Sequence, residues 1–319
     1  MGLLSSPTIV FAHEKWFLSE MVAQKTPDLF TRLQFTNILM IVVTLVFFCI
    51  ALVLNRRLSS SKLIEKAHKD LDKVAAWGVP VVRLTVGLLM FTASYLGFFF
   101  APELTRESFN ELYSTPFLYI QAFVGLMLVI GVLPRFSAFS GLVLFTSLFS
   151  FLPWQDLLPY TLYIGIFLYL MILGDSSLPK VKSKKKHTNF LMDIFAKLEP
   201  QSLGILRLGL AVSLIVPALS FKIINPQIAL AFLDVQPINF MQGLGFASFS
   251  NGIFVLAAGL IEVLLGLLLM INALPRLIGG ILIFVFTLTL TCFGMFELLG
   301  HLPFYGAAYA ILVQAKSSK

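Results

Sequence analysis

Cysteine, charge and histidine are all scarce in this chain of 319 residues. Only 12% of its residues are charged, and its two cysteines are too few for a disulfide framework. The sequence has no CxxC pair, no P-loop and no GxGxxG motif after a strand-like run. It therefore carries no motif for a tightly bound redox cofactor. Its 21 glycines and 15 prolines are ordinary numbers, which excludes collagen-like and low-complexity classes.

Apolar side chains, in contrast, are in large excess. Hydrophobic residues make up 58% of the chain, and 32 of them are phenylalanine, which is more than a soluble core of this size needs. The composition predicts a polytopic membrane protein whose main partner is the lipid bilayer. We interpret the net charge of +7 as a topology signal and expect no nucleic-acid partner.

Apolar runs long enough to cross a membrane recur along the chain. A helix needs roughly 20 residues to span a hydrocarbon core about 30 Å thick. We therefore predict an all-α fold, a helical membrane bundle with about nine transmembrane helices. The predicted spans cover residues 37–54, 79–100, 117–133, 136–153, 158–174, 203–224, 253–271, 277–298 and 302–313.

Lysine and arginine collect in segments between these spans. Residues 55–78 and 175–202 form two basic loops, and the tail 314–319 is basic as well. Because cytoplasmic loops carry the excess of basic residues, these segments are predicted to lie inside and the amino-terminal segment 1–36 outside. Helical spacing of apolar residues over 189–198 fits either an amphipathic helix on the inner leaflet or a solvated basic linker.

A short motif occurs twice. Leu-Pro-Arg ends at Arg135 and again at Arg276, and the same shift of 141 positions aligns residues 121–130 with residues 262–271. Such self-similarity is typical of a duplicated unit. At the same shift Asp156 pairs with Glu297 and Tyr160 with His301. Upstream, at a different spacing, Val82-Arg83-Leu84 matches Leu206-Arg207-Leu208.

The predicted architecture is one leading helix followed by two four-helix units, at residues 79–174 and 203–313. Each unit has an even number of spans, so both enter the membrane from the same side. The repeat is therefore parallel rather than inverted.

The second unit carries several short motifs in order. They are Arg207-Leu-Gly-Leu, Lys222, Gly259-Leu-Ile-Glu262-Val-Leu-Leu-Gly266, Leu274-Pro-Arg276 and Glu297-Leu-Leu-Gly-His301-Leu-Pro303-Phe-Tyr305-Gly306. In this order they resemble the DoxX/DoxD-like membrane family, a four-helix unit known from the large subunit of thiosulfate:quinone oxidoreductase. The resemblance implies a bacterial inner-membrane protein and a quinone-linked redox reaction.

The first unit resembles the family more loosely. It keeps Arg83, but Phe98 stands near the place of the lysine and Gln121 replaces the glutamate. This pattern suggests a duplication in which one copy has lost its ionisable residues.

Glu262 is the most informative polar residue. A carboxylate near the middle of a span costs about 2.5–3.5 kcal/mol on insertion scales, so it needs a partner or a wet cavity. Its interpretation stays open between a proton relay or ligand contact and a structural ion pair with Arg207. Snorkelling to the headgroups is a further explanation for Arg207.

A second group of polar residues is predicted at the outer end. Glu297 and His301 stand four apart and so share a helix face, where they could frame an entrance together with Lys222, or only cap the helix. Two such ligands are too few for a metal site, and none is predicted. Tyr305 and Gln121 are further candidates for contact with a ligand.

Two classes of function remain open. In the first, the second unit holds a quinone or other apolar small molecule, with Glu262, Arg207 and His301 in catalytic positions and Lys222 and Glu297 at the ligand. In the second, the chain is a non-enzymatic membrane factor: a transporter, a lipid-handling protein or a partner subunit for a periplasmic protein. The apolar external segment 225–252 suits a hydrophobic ligand in either case.

Overall fold

A computed structural model describes residues 35–58, 61–102, 104, 111–174, 190–293 and 296–315. Within these ranges all regular structure is helical and no strand occurs, which confirms the predicted all-α class. Nearly all of the predicted external segment 1–36 lies outside the described residues, as do residues 175–189 of the second basic loop and most of the tail.

The helices follow the apolar runs, because a membrane span must satisfy its backbone polar groups within itself. A π-helical segment, Ala218–Ile224, continues the ninth helix beyond Pro217. Numbered along the chain, the helices are α1 (Phe35–Leu58), α2 (Lys62–Asp72), α3 (Gly78–Leu96), α4 (Glu111–Ile130), α5 (Pro134–Ser147), α6 (Trp154–Leu157), α7 (Thr161–Leu173), α8 (Phe190–Leu198), α9 (Ser202–Pro217), α10 (Gln227–Val235), α11 (Phe240–Gly243), α12 (Asn251–Met270), α13 (Pro275–Phe293) and α14 (Phe296–Gln314).

Several of these helices can cross a bilayer, so the chain is a multi-pass membrane protein. Among the described residues, six helical stretches are long and apolar enough: Phe35–Leu58, Ala75–Leu96, Tyr113–Ile130, Trp154–Leu173, Met192–Ile224 and Asn251–Met270. The other three predicted spans, 136–153, 277–298 and 302–313, overlap α5, α13 and α14, which are helical but are not among the six.

Glycines set how closely the helices pack. A Cβ on Gly125 of α4 would lie 2.8 Å from the carbonyl oxygen of Gly87 in α3. Gly165 of α7 and Gly209 of α9 face each other in the same way, with a would-be Cβ of Gly165 only 3.2 Å from the Gly209 Cα. Small residues let membrane helices approach until their backbones touch, which strengthens van der Waals packing where no hydrophobic effect operates.

Helix α1 stands at the edge of the bundle. None of its residues is buried, and it packs mainly against α12. Large side chains such as Leu45 and Phe47 point outward over its whole length. These are the side chains expected to face lipid acyl chains.

Four arginines, Arg83, Arg135, Arg207 and Arg276, mark one end of the bundle, which we call the arginine end. The Gln314 side chain joins elements there: its Nε2 donates to the Ala75 carbonyl before α3, and its Oε1 accepts from the Tyr169 hydroxyl near the end of α7. Thus the start of α3 and the ends of α7 and α14 meet at this end.

The two short helices that precede α3 and α9 dock on this end through arginines. Arg276 donates to the Ala315 carbonyl at 2.5 Å, to the His68 carbonyl at 3.0 Å and to the Asp72 carboxylate, which fastens α2. The guanidinium of Arg135 lies 5.3 Å from the ring centroid of Phe195 and so contacts α8. Helix α8 covers the segment 189–198 from its second residue, so of the two alternatives for that segment the structure has the helix.

The turns before α5 and α13 have the same unusual backbone. Leu133 and Leu274 have φ of 44° and 49°, and two residues earlier Gly131 and Asn272 have φ of 81° and 59°. Left-handed backbone is uncommon for leucine. Both turns therefore have the same specific conformation, and each leads into a proline at the first position of the next helix.

Candidate functional site

The centre of the candidate site is an ion pair between Lys222 and Glu262. The Lys222 Nζ lies 2.5 Å from the Glu262 Oε1, and the two side chains are 22% and 31% exposed. Glu262 lies near the middle of α12, as predicted, and Lys222 lies in the π-helical segment after α9. The Glu262 carboxylate, near the middle of a helix that can span a membrane, is thus paired with an opposite charge on the neighbouring helix.

Lys222, and not Arg207, is the partner of Glu262, so the ion pair predicted between Arg207 and Glu262 is wrong. Arg207 instead donates from Nη1 to the Asn272 side-chain oxygen, in the turn before α13. The physical reason is depth. Arg207 lies in the second turn of α9, level with the end of α12, whereas Glu262 stands two turns further from that end.

Two close contacts bring Lys222 opposite the middle of α12. A Cβ on Gly259 would lie 2.9 Å from the Lys222 Cβ, and a Cβ on Gly266 would lie 3.0 Å from the Ala211 carbonyl oxygen. The helices therefore run antiparallel in tight contact. Because α12 begins about 12 Å before Gly259, at 1.5 Å per residue, Lys222 at the end of its own helix still meets the interior of α12.

This pair offers both a proton donor and a proton acceptor in an apolar setting. The ammonium can donate to a carbonyl, and the carboxylate can accept or pass on a proton. Each charge also lowers the cost of placing the other in hydrocarbon. A partly exposed pair of this kind can therefore hold the polar head of an otherwise apolar molecule.

Glu297 and His301 form a second polar group on α14. Their side chains are buried, and the His301 Nδ1 lies 3.2 Å from the Glu297 Oε1. The His301 ring stacks on Phe286 of α13, with 4.6 Å between centroids. The shared face predicted from their spacing is confirmed, but the pair lies buried in the bundle rather than on an exposed rim.

Tyr305 extends this second group by one turn. Its ring centroid is 6.0 Å from that of Phe286, and its hydroxyl lies 3.2 Å from the Thr287 Oγ1. Phe286 and Thr287 were not predicted, because apolar and hydroxyl residues on a membrane helix carry no pattern that separates a ring contact from ordinary packing.

Gln121 has a structural role. Its side chain is wholly buried, its Oε1 accepts from the Phe100 backbone N–H at 3.1 Å, and its Nε2 donates to the Ser94 hydroxyl and the Phe98 carbonyl. The Tyr163 hydroxyl donates to the Phe100 carbonyl at 2.6 Å. These bonds fix the segment after α3, and they leave Gln121 no surface for the ligand contact predicted from the sequence.

Asn272 is a further residue of the site that was not predicted. The 141-position shift places it over Gly131, two residues before the second Leu-Pro-Arg motif. That alignment, applied to the turn, would have offered Asn272 as a partner for Arg207.

The described residues contain no group of three or more His, Cys, Asp or Glu side chains that could hold a metal ion. No protein-family model, no curated protein and no solved structure matches the chain.

Proposed function

We propose that this chain is a DoxX-like protein of the bacterial inner membrane that holds a quinone or another apolar small molecule in its second four-helix unit, as a component of a membrane redox reaction. The observation that carries the proposal is the partly exposed Lys222–Glu262 ion pair within the span. The nine spans, the external amino terminus and the cytoplasmic arginine end belong to the same proposal, with the basic segments as their support.

Equivalent contacts support a duplication. Gly125 packs on the turn of α3 around Gly87, and Gly266 packs on the corresponding turn of α9 around Ala211. Arg83 lies against Gly131, just as Arg207 bonds to Asn272. The two left-handed turns before Pro-Arg match in the same register.

Comparison of the two units suggests that the second unit keeps the charges of Lys222 and Glu262 in order to bind a ligand. At the position equivalent to Glu262 the first unit has Gln121, which bonds to the carbonyl of Phe98, the counterpart of Lys222. The same helix contact is thus built without an ion pair. Since a membrane-embedded charge is costly, a unit that keeps the pair needs it for something other than packing.

Lys222 and Glu262 have separate parts in the proposed reaction. The Lys222 ammonium donates a hydrogen bond to one quinone carbonyl, and Glu262 relays protons to it. Conversion of a quinone to a quinol takes up two electrons and two protons, and the electrons come from an external donor, delivered by a second subunit or a periplasmic partner. Arg207 supports the site through the Asn272 turn.

Binding of an added quinone tests this proposal. A short-chain quinone analogue is titrated into the purified protein in mild detergent, with calorimetry as the readout. The double variant Lys222→Phe with Glu262→Gln, which copies the first unit, should bind at least about tenfold more weakly, because charged hydrogen bonds are lost. Equal affinity of the two proteins would exclude the ion pair as the binding group.

The apolar outer segment favours a second candidate, a lipid-handling protein or membrane partner of a periplasmic protein. Helix α10 packs on α12 through Ala229, Leu233 and Val255, while Phe240 and Leu244 remain exposed. An exposed apolar surface of this kind suits lipid or a partner protein. Capture of phospholipid in place of quinone would support this function.

A further inference from the structure

Arg83 occupies an unusual position at the arginine end. It lies in the second turn of α3, next to the turn that joins α4 to α5, and a Cβ on Gly131 would collide with its guanidinium. Its Nε is buried without a hydrogen-bond partner, as are those of Arg135 and Arg207. Unlike those two arginines, Arg83 also forms no hydrogen bond from its Nη atoms, and within the described part of the chain no side chain forms an ion pair with it. The Nη donors of Arg83 are therefore open to an acceptor from another molecule.

Arg207 has the hydrogen-bond acceptor that Arg83 lacks. It lies at the corresponding place in α9, and its guanidinium donates to Asn272, which stands where the first turn has Gly131. The Asn272 side chain fills the space beside Arg207 and supplies an acceptor. Gly131 has no side chain, so the space and the acceptor position beside Arg83 are open to another molecule.

The backbone of the first turn is open as well. In the second turn the Leu274 N–H donates to the Asn55 Oδ1 at 2.9 Å, so the end of α1 covers that turn. In the first turn the Leu133 N–H has no such acceptor among the described residues, and Leu133 is 64% exposed. The first unit therefore has an uncovered place where the second unit has α1.

The surroundings of this place are apolar. Ile130, Val132 and Leu84 expose their side chains beside Arg83 and the turn. A guanidinium and a backbone N–H together bind phosphate oxygens well, and exposed apolar side chains next to them suit acyl chains.

We propose that Arg83 and the turn at residues 131–133 bind the phosphate of an anionic phospholipid. The lipid lies against the first unit where α1 lies against the second, and the charge of its headgroup balances Arg83. This site is separate from the Lys222–Glu262 pair and does not depend on the quinone proposal.

Native mass spectrometry of the purified chain, with phosphatidylglycerol added in steps, measures this binding. Arg83→Gln removes the guanidinium. Gly131→Asn keeps the arginine but displaces its guanidinium and gives it the internal acceptor that Arg207 has. Asparagine also tolerates the left-handed backbone. Both variants should bind the tightest phosphatidylglycerol at least about tenfold more weakly, whereas the matched control Arg207→Gln should bind it as the wild type does.

Two further arms identify the ligand. Phosphatidylcholine should bind more weakly than phosphatidylglycerol at this site, because its headgroup carries no net charge. Inorganic phosphate at the same concentration should not displace the lipid. Unchanged affinity in both Arg83→Gln and Gly131→Asn, an equal loss in Arg207→Gln, no preference for phosphatidylglycerol, or displacement by inorganic phosphate would each overturn the proposal.

Discussion

Arg276 and Asp72 form an ion pair that ties the end of α2 to the start of α13. Arg276 is buried and also serves the carbonyls of Ala315 and His68, whereas Asp72 is mostly exposed. Arg276 thus holds α2 and the end of α14 together through buried hydrogen bonds, whereas Asp72 adds an ion pair at the solvated edge.

This asymmetry predicts unequal costs. Arg276→Ala should destabilise the protein by about 1–3 kcal/mol, because the Ala315 carbonyl loses its donor inside the bundle. Asp72→Asn should cost less than about 1 kcal/mol, because an exposed ion pair is screened by solvent. Thermal unfolding in one detergent compares the two variants, and equal shifts would show that the ion pair, rather than the carbonyl contacts, holds α2.

The docking of α2 should depend on pH. Burial, with the nearby Arg276 charge as a second cause, lowers the pKa of His68, although Asp72 opposes this. Detached α2 therefore binds a proton more readily than docked α2. Docking is fully present above the ordinary histidine pKa of about 6.5 and weakens as the pH falls below it.

Hydrogen exchange of the amides in residues 62–72 measures this docking. After correction for the intrinsic rate, exchange should be faster at pH of about 5.5 than at about 7.5, and His68→Gln should remove the difference. A pH effect that persists in His68→Gln would contradict this role of His68.

Helix contact through glycine predicts a steric effect at one position and none at another. Gly125→Ala places a methyl group 2.8 Å from the Gly87 carbonyl oxygen, which is backbone and cannot turn aside. We expect a loss of about 1–3 kcal/mol, typical of overpacking. Gly204→Ala in α9 meets nothing within 4 Å and should be neutral or stabilise by up to about 1 kcal/mol. Similar unfolding temperatures for the two variants would contradict the close packing of α3 on α4.

The ion pair predicts a double-mutant cycle with strong coupling. Glu262→Gln alone leaves the Lys222 ammonium without its carboxylate, and removal of one partner from a desolvated pair costs up to about 3–5 kcal/mol. The pair is partly exposed, so the lower end of that range is expected. Lys222→Phe with Glu262→Gln should recover much of the loss, since Phe98 and Gln121, at the positions that the proposed duplication aligns with them, are in contact without an ion pair. Additive losses would show that the two residues do not act as a pair.

The positions of the helices could be predicted from the sequence because apolar runs and helices share the same physical cause. The predicted span 253–271 differs from Asn251–Met270 by two residues at its start and one at its end. The last helix was predicted too short, at 302–313, because Glu297 was assigned to the preceding span and His301 to a turn. Both residues lie inside α14, where they are buried together.

The partner of Glu262 could not be predicted. Depth counted along straight helices placed Lys222 at the outer end of its span and left Arg207 as the available cation. The pairing of Lys222 with Glu262 depends on where α12 begins and on the π-helical segment after Pro217. Neither feature has a recognisable sequence pattern. The partner of Arg207, by contrast, could have been predicted, because the 141-position shift aligns Asn272 with Gly131 in the equivalent turn.

The molecule that accompanies the purified protein tests the central claim most directly. The wild type, the double variant Lys222→Phe with Glu262→Gln, and the folded control Gly204→Ala are purified in the same mild detergent and extracted with organic solvent. Mass spectrometry then quantifies quinone per chain. We predict about one quinone in the wild type and in Gly204→Ala, and much less in the double variant. Bulk lipid alone in the wild type, or undiminished quinone in the double variant, would contradict the account.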